Sequence, residues 1–175
     1  MGMSVESASE IARKHFGSTD RPVALGWGIS GFVFLSPDTH TAVKIHSTAE
    51  GFATELQVYR KLGTLGIDEL HGLNVPMMRD WRSDLRLIRM DVVSAPYLLD
   101  FAGVMFDPPD FDEDRWAYWR ETISGFYGPN DWVAYDVYRT LAGHGLYYVD
   151  FRPSNMNIEG LPGLLPHDPP TWEDL

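Results

Sequence analysis

Residues 25–34 read LGWGISGFVF, and the glycines do not open directly into a helical pattern. Glycines at 26, 28 and 31 fall in a G-x-G-x-x-G pattern that Val33 completes. That spacing lets backbone amides approach phosphate oxygens without side-chain interference. The same spacing opens dinucleotide-binding loops, but those run straight into a helix and carry an acidic residue about 20 positions later. Here the glycines run into FVFL, then the turn SPDT, then TAVKIH, so alternation with period 2 continues through a hairpin. The loop is therefore expected to be a flap between antiparallel strands, with nucleotide phosphates as its candidate ligand. A glycine-rich hairpin without a ligand is the plainer alternative.

The flanking segments set the fold class. Residues 4–16 place Val5, Ile11, Ala12 and Phe16 at helical spacing before Gly17, which predicts a leading helix. Residues 50–62, EGFATELQVYRKL, return to helical spacing through Phe52, Leu56, Tyr59 and Leu62, with Gly63 as the expected stop. Strands are expected near 75–81 and 85–93, and aromatic-rich helices near 112–126 and 130–142. Short strand-like pieces are expected around Asn157 and Leu164. The turn-rich Asp107-Pro-Pro-Asp110 separates an amino-terminal lobe, 1–106, from a carboxy-terminal one, 107–175, within a single domain. The class is α+β: an antiparallel sheet with one main helix, then a mainly helical lobe.

Composition excludes more than it identifies. With 44% apolar and 13% aromatic residues, the 175-residue chain can bury a core. The net charge of −11, with no basic stripe, argues against nucleic acid as a partner. There is no cysteine, so neither disulfides nor thiolate chemistry is available. No apolar run has the length of a signal or membrane segment, so a cytoplasmic protein is expected. Ser30 lies in GISG, which is not the G-x-S-x-G of a nucleophile elbow. The six histidines show no zinc-like spacing and read as ordinary surface or core residues.

The glycine hairpin, the AVKI strand at 42–45 and the DFRPSN segment at 150–155 occur in the order in which a protein kinase uses its parts. Over residues 23–168 the sequence resembles the protein-kinase-like superfamily, small-molecule kinases included. The resemblance implies that Gly26, Gly28, Gly31 and Val33 cover ATP and that Lys44 grips its α- and β-phosphates, aligned by a helix glutamate. Glu55, 11 residues on, suits that role, because a carboxylate on a helix face shared with Phe52, Tyr59 and Leu62 needs a cationic partner. Glu50 is the alternative, at the helix start. LRLIRM-DVV resembles the hinge: Met90 would be the gatekeeper, with the Asp91 carbonyl and the Val93 amide facing adenine.

In the second lobe the resemblance makes Asp150 the catalytic base. Arg152 stands where a lysine usually neutralises the γ-phosphate, and Asn155 is a Mg²⁺ ligand. Asp168, 13 residues beyond Asn155, would be the second metal ligand, although Pro169 and Pro170 replace the usual Phe-Gly. Tyr148 and Val149 replace the motif's His and Arg, which implies looser loop packing and no reading of a phosphorylated activation loop. Only seven residues follow Asp168, so a reduced lobe without a peptide-substrate platform is expected. The apolar helix near 131–142 needs cover from Trp116, Tyr118 and Trp119, or from a protein partner or homodimer. The resulting expectation is a Mg²⁺-ATP phosphotransferase acting on a hydroxyl of a protein or small molecule. The alternatives are a pseudokinase scaffold and, more remotely, an α+β domain unrelated to nucleotides.

Overall fold

The computed structural model describes residues 3–167. In chain order the elements are α1 (Val5–Phe16), β1 (Val23–Trp27), β2 (Gly31–Leu35), β3 (Thr41–His46), α2 (Ala49–Leu65), β4 (Glu69–Leu70) and β5 (Leu73–Asn74). There follow β6 (Met78–Arg82), β7 (Leu87–Asp91), β8 (Tyr97–Leu98), α3 (Glu113–Tyr127), α4 (Trp132–Gly143) and β9 (Met156–Asn157). They form two compact units. The first takes the chain through Asp68 together with Val75–Ser94 and Asp100–Gly103. The second takes Glu69–Asn74, Ala95–Leu99 and the chain from Val104 onward.

The first unit is built on a five-stranded antiparallel sheet in the order β1-β2-β3-β7-β6. The glycine segment joins β1 to β2, as the unbroken alternation requires. Every residue of the central strand β3 is buried. Ala8 and Ala12 of α1 pack with Phe34, Val43, Ile45 and Leu87, while Lys44, lying between Val43 and Ile45, turns to α2. Helix α2 buries Phe52, Glu55, Leu56, Val58, Tyr59 and Leu62. The Thr48 side chain caps it by accepting from the Gly51 amide at 3.1 Å. It ends at Gly66 rather than Gly63, because the left-handed turn (φ 67°) falls there and Gly63 stays helical at modest cost.

One glycine of the hairpin is required by sterics. Gly31 has φ 153°, and a Cβ there would lie 2.2 Å from the Ile45 carbonyl oxygen and 3.0 Å from His46 Cα. Gly26 and Gly28 have no atom within 4 Å of that position. Gly31→Ala is therefore expected to cost about 1–3 kcal/mol of stability as an overpacking change. Gly26→Ala and Gly28→Ala should stay within about 1 kcal/mol of wild type. Urea denaturation of the three variants checks this; equal losses would contradict it.

The second unit contains a small sheet, β4-β5-β8-β9, parallel only between β5 and β8. Its two-residue strands are too short to leave a period in the sequence, which reads this lobe as mainly helical. Around Leu164 no strand forms. Helix α3 begins where Asp112 accepts from the Arg115 amide at 2.9 Å. Trp116 then packs edge-on to Tyr138 at a ring distance of 5.8 Å, Trp119 lies tilted against the same ring at 5.5 Å, and Trp119 meets Tyr135 at 5.6 Å. Those two tryptophans cover α4, whereas Tyr118 stays 71% exposed. Among the described residues no helix is long and apolar enough to cross a membrane.

Candidate functional site

In the first unit the structure joins Lys44 to Glu55. The Lys44 ammonium lies 2.7 Å from Glu55 Oε2, with both side chains almost fully buried. Two further residues complete the cluster. Asp100 Oδ1 accepts from Lys44 Nζ at 2.6 Å, and His46 Nε2 lies 2.6 Å from the same Glu55 oxygen. His46 Nδ1 lies 3.0 Å from the Arg86 carbonyl. Glu55 Oε1 is buried with no hydrogen-bond partner among the described residues, so Lys44 and His46 carry the compensation of this carboxylate.

The charges hold one another ionised. Burial pulls the Lys44 ammonium down, but the Glu55 and Asp100 carboxylates outweigh it and leave it above its ordinary value. Burial pushes Glu55 up; the Lys44 charge and the His46 hydrogen bond overcome this and hold it below the usual carboxylate value. Burial likewise raises Asp100, while Lys44, Ser30 and the Ala102 amide bring it below its ordinary value. Glu50, the alternative partner, lies in the first turn of α2 and makes no part of the cluster.

The other sites read from the first unit lie on its sheet or in the segments that adjoin it. Val33 pairs in register with Gly26 on one side and Lys44 on the other. The Gly28 amide donates to the Gly31 carbonyl at 2.9 Å, closing the loop. Met90 is buried on β7, its sulfur accepting from the Tyr59 hydroxyl at 3.3 Å. Asp91 ends β7 with its carboxylate gripped by Arg79 at 2.6 Å through both oxygens, and Val93 is half-buried just beyond.

The second unit holds the DFRPSN loop. Asp150 is half-buried with its side chain 41% exposed, and Arg152 grips both its oxygens, Nε to Oδ1 at 2.7 Å and Nη2 to Oδ2 at 2.6 Å. Asn155 is buried; its Nδ2 donates to the Asp150 carbonyl at 3.2 Å, which closes the turn on itself. The loop is tied to the helices by backbone carbonyls. Trp119 Nε1 donates to Val149 at 2.9 Å, and the Tyr127 hydroxyl lies 2.7 Å from the Phe151 carbonyl and 2.8 Å from that of Met156. Burial, then the Asp150 charge and Tyr97, push the Tyr127 phenol far above its ordinary value, so it remains a donor.

Tyr148 corrects the expectation of a loosely packed loop. Its ring is 1% exposed, stands edge-on to Phe151 at 4.9 Å, and its hydroxyl donates to the Leu99 carbonyl at 2.8 Å. Tyr127→Phe should cost about 1–3 kcal/mol, because two carbonyls at opposite ends of the loop lose their shared donor. Faster amide exchange confined to residues 150–157 would show it; an unchanged exchange pattern would contradict the role.

Asp168, the expected second metal ligand, lies outside the described residues, as do Pro169 and Pro170. Among the described residues no group of three His, Asp or Glu side chains converges as a metal cage. Mg²⁺ needs none, since it keeps several waters and takes one or two protein oxygens beside substrate phosphates.

Asp100 and His46 are the members of the cluster that sequence reasoning missed. Lys44 and His46 share one face of β3, so the period of 2 was a signal for the histidine. Asp100 had no such signal, being 56 residues from Lys44.

A five-stranded antiparallel sheet, a glycine hairpin, and a helix glutamate paired to the lysine of the next strand decide the architecture. The fold is α+β. No protein-family model matches the chain, and no curated protein does. Among solved structures, the gentamicin complex of APH(2")-IIa is similar at 18% identity and a TM-score of 0.37, over 54% of this chain and 29% of that one. The streptomycin–ATP ternary complex of APH(2")-IIa is similar at 18% identity and a TM-score of 0.36, over 54% of this chain and 30% of that one. The match thus spans less than a third of those aminoglycoside phosphotransferase chains.

Proposed function

We propose that the chain is an ATP- and Mg²⁺-dependent phosphotransferase that moves the γ-phosphate to a hydroxyl of a protein or small molecule. The buried Lys44–Glu55 pair beside the glycine hairpin carries this reading. A lysine that only stabilised the fold would gain little from burial, because replacing a buried ion pair by apolar side chains is often neutral or better. A fixed ammonium next to a glycine loop is what polyphosphate binding requires. Leu25 and Trp27 of β1, both largely exposed, offer apolar cover for a planar base.

In this reading Lys44 holds the α- and β-phosphates, Glu55 aims Lys44, and Asp150 orients the acceptor hydroxyl and takes its proton. Arg152 offsets charge on the γ-phosphate. Asn155 and Asp168 would hold Mg²⁺, which supplies charge neutralisation on the phosphate oxygens. Met90, the Asp91 carbonyl and the Val93 amide would bound the adenine.

One observation favours a second reading, a nucleotide-binding scaffold without transfer. Both oxygens of Asp150 are already taken by Arg152. That pair is exposed, however, and such pairs are worth about 0–1 kcal/mol, so a γ-phosphate can draw the guanidinium away. Incubation with γ-labelled ATP and Mg²⁺ separates the two. Label appearing on an acceptor or, slowly, as free phosphate supports the enzyme; bound but unconsumed ATP supports the scaffold.

A further inference from the structure

We propose that Asp100 is an internal stand-in for the phosphate: its carboxylate occupies the anion position at Lys44 and the glycine loop, and a polyphosphate ligand must displace it. The inference rests on the reading of Lys44 as a phosphate clamp. Oδ1 of Asp100 accepts from Lys44 Nζ at 2.6 Å and from the Ala102 amide at 3.4 Å, while Oδ2 accepts from the Ser30 hydroxyl at 3.1 Å. Ser30 lies between Gly28 and Gly31, so one carboxylate spans the strand lysine and the glycine loop. Those are the two groups from which an incoming phosphate would draw its donors.

The ammonium of Lys44 thus faces two carboxylates, and they differ in their freedom to leave. Glu55 is fully buried on α2 and is also bonded to His46. Asp100 keeps 28% of its side chain exposed and lies in a short segment before the 3-10 turn Phe101–Gly103. Its φ of 57° is a left-handed conformation that residues other than glycine adopt uncommonly, and three side-chain hydrogen bonds hold it in place. A triphosphate placed against both carboxylates would be repelled by both, so the exposed one yields. Binding is then weakened by the fraction of molecules in which Asp100 already holds Lys44.

Calorimetric titration of the full chain tests this with three probes: metal-free ATP, ATP with Mg²⁺, and inorganic tripolyphosphate. Asp100→Asn keeps the side-chain volume and an oxygen for the Ala102 amide while removing the charge. All three probes are expected to bind the variant about tenfold tighter than wild type. Equal affinities would overturn the proposal. Weaker binding of ATP with Mg²⁺ alone would also overturn it, showing that Asp100 holds the cation instead.

Tripolyphosphate tightened by Asp100→Asn, with ATP no better than tripolyphosphate, would keep the internal anion and sink the nucleotide reading. No probe bound by either protein would sink both. Should Asp100→Asn not fold, Asp100→Ala also removes the carboxylate while leaving Lys44 and Ser30 as donors. It is likewise expected to tighten tripolyphosphate binding about tenfold; unchanged or weaker binding would count against the proposal.

Discussion

Lys44→Met is expected to destabilise the protein by about 3–5 kcal/mol, the range for breaking a buried ion pair from one side. Methionine keeps most of the lysine's apolar volume, so the loss comes from charge rather than from a cavity. It leaves Glu55, fully buried and with one oxygen already lacking a partner among the described residues, facing the Asp100 carboxylate. For a chain of this length the melting temperature should fall by about 6–20 °C.

The loss should depend on pH in a definite sense. In wild type, Glu55 and Asp100 sit below their ordinary values of 4.5 and 3.8, so their contribution is present above those values. It disappears as pH falls through the lower, folded values, where the native state also takes up the protons. In Lys44→Met, burial of Glu55 is no longer opposed by the lysine and its carboxyl should move upward. The folded variant then binds more protons than its unfolded chain just above pH 4.5, and its stability falls as pH rises through that window. The gap between the two proteins should therefore be widest near neutrality and narrow toward pH 4. Urea denaturation at both pH values checks it; a constant gap would mean that lost packing, not charge, is responsible.

The second large effect is on chemistry. Asp150→Asn should lower phosphate transfer by about 10²–10⁴-fold, the usual contribution of a positioned general base. It should leave stability nearly unchanged, because Asp150 is only half-buried and its pair with Arg152 is worth about 1 kcal/mol at most. Nucleotide affinity should also persist, since the phosphate clamp is in the other compact unit. Parallel assays of label transfer and ATP binding on the purified variant separate these effects. If both fall together, Asp150 has a binding or folding role instead.

The parts of this account that were legible in the sequence are those carried by local spacing. Alternation from Phe32 through Ile45 placed the glycines in a hairpin, and the sheet pairs those strands in register. Glu55 was legible because a carboxylate among Phe52, Tyr59 and Leu62 on one helix face has to find a cation, and it finds Lys44. Contacts made across the chain were not legible. Asp100 sits in LLDFAG, where no spacing marks it, and reaches Lys44 only through the fold. The sheet β4-β5-β8-β9 escaped notice because its strands have two residues each. Tyr148 was read as a missing histidine, whereas its ring and hydroxyl supply the packing and the bond that hold the loop.

The central claim is that Lys44 grips the phosphates of a bound nucleotide, and the shift in melting temperature with ATP and Mg²⁺ tests it most directly. At 100 times Kd a ligand stabilises by about 2.7 kcal/mol, which is about 5–10 °C for a domain of this size. The account predicts a shift of that order in wild type that depends on Mg²⁺ and is absent from Lys44→Met, measured relative to that variant's own lower melt. A flat wild-type melt at millimolar ATP, or an equal shift in Lys44→Met, would contradict it.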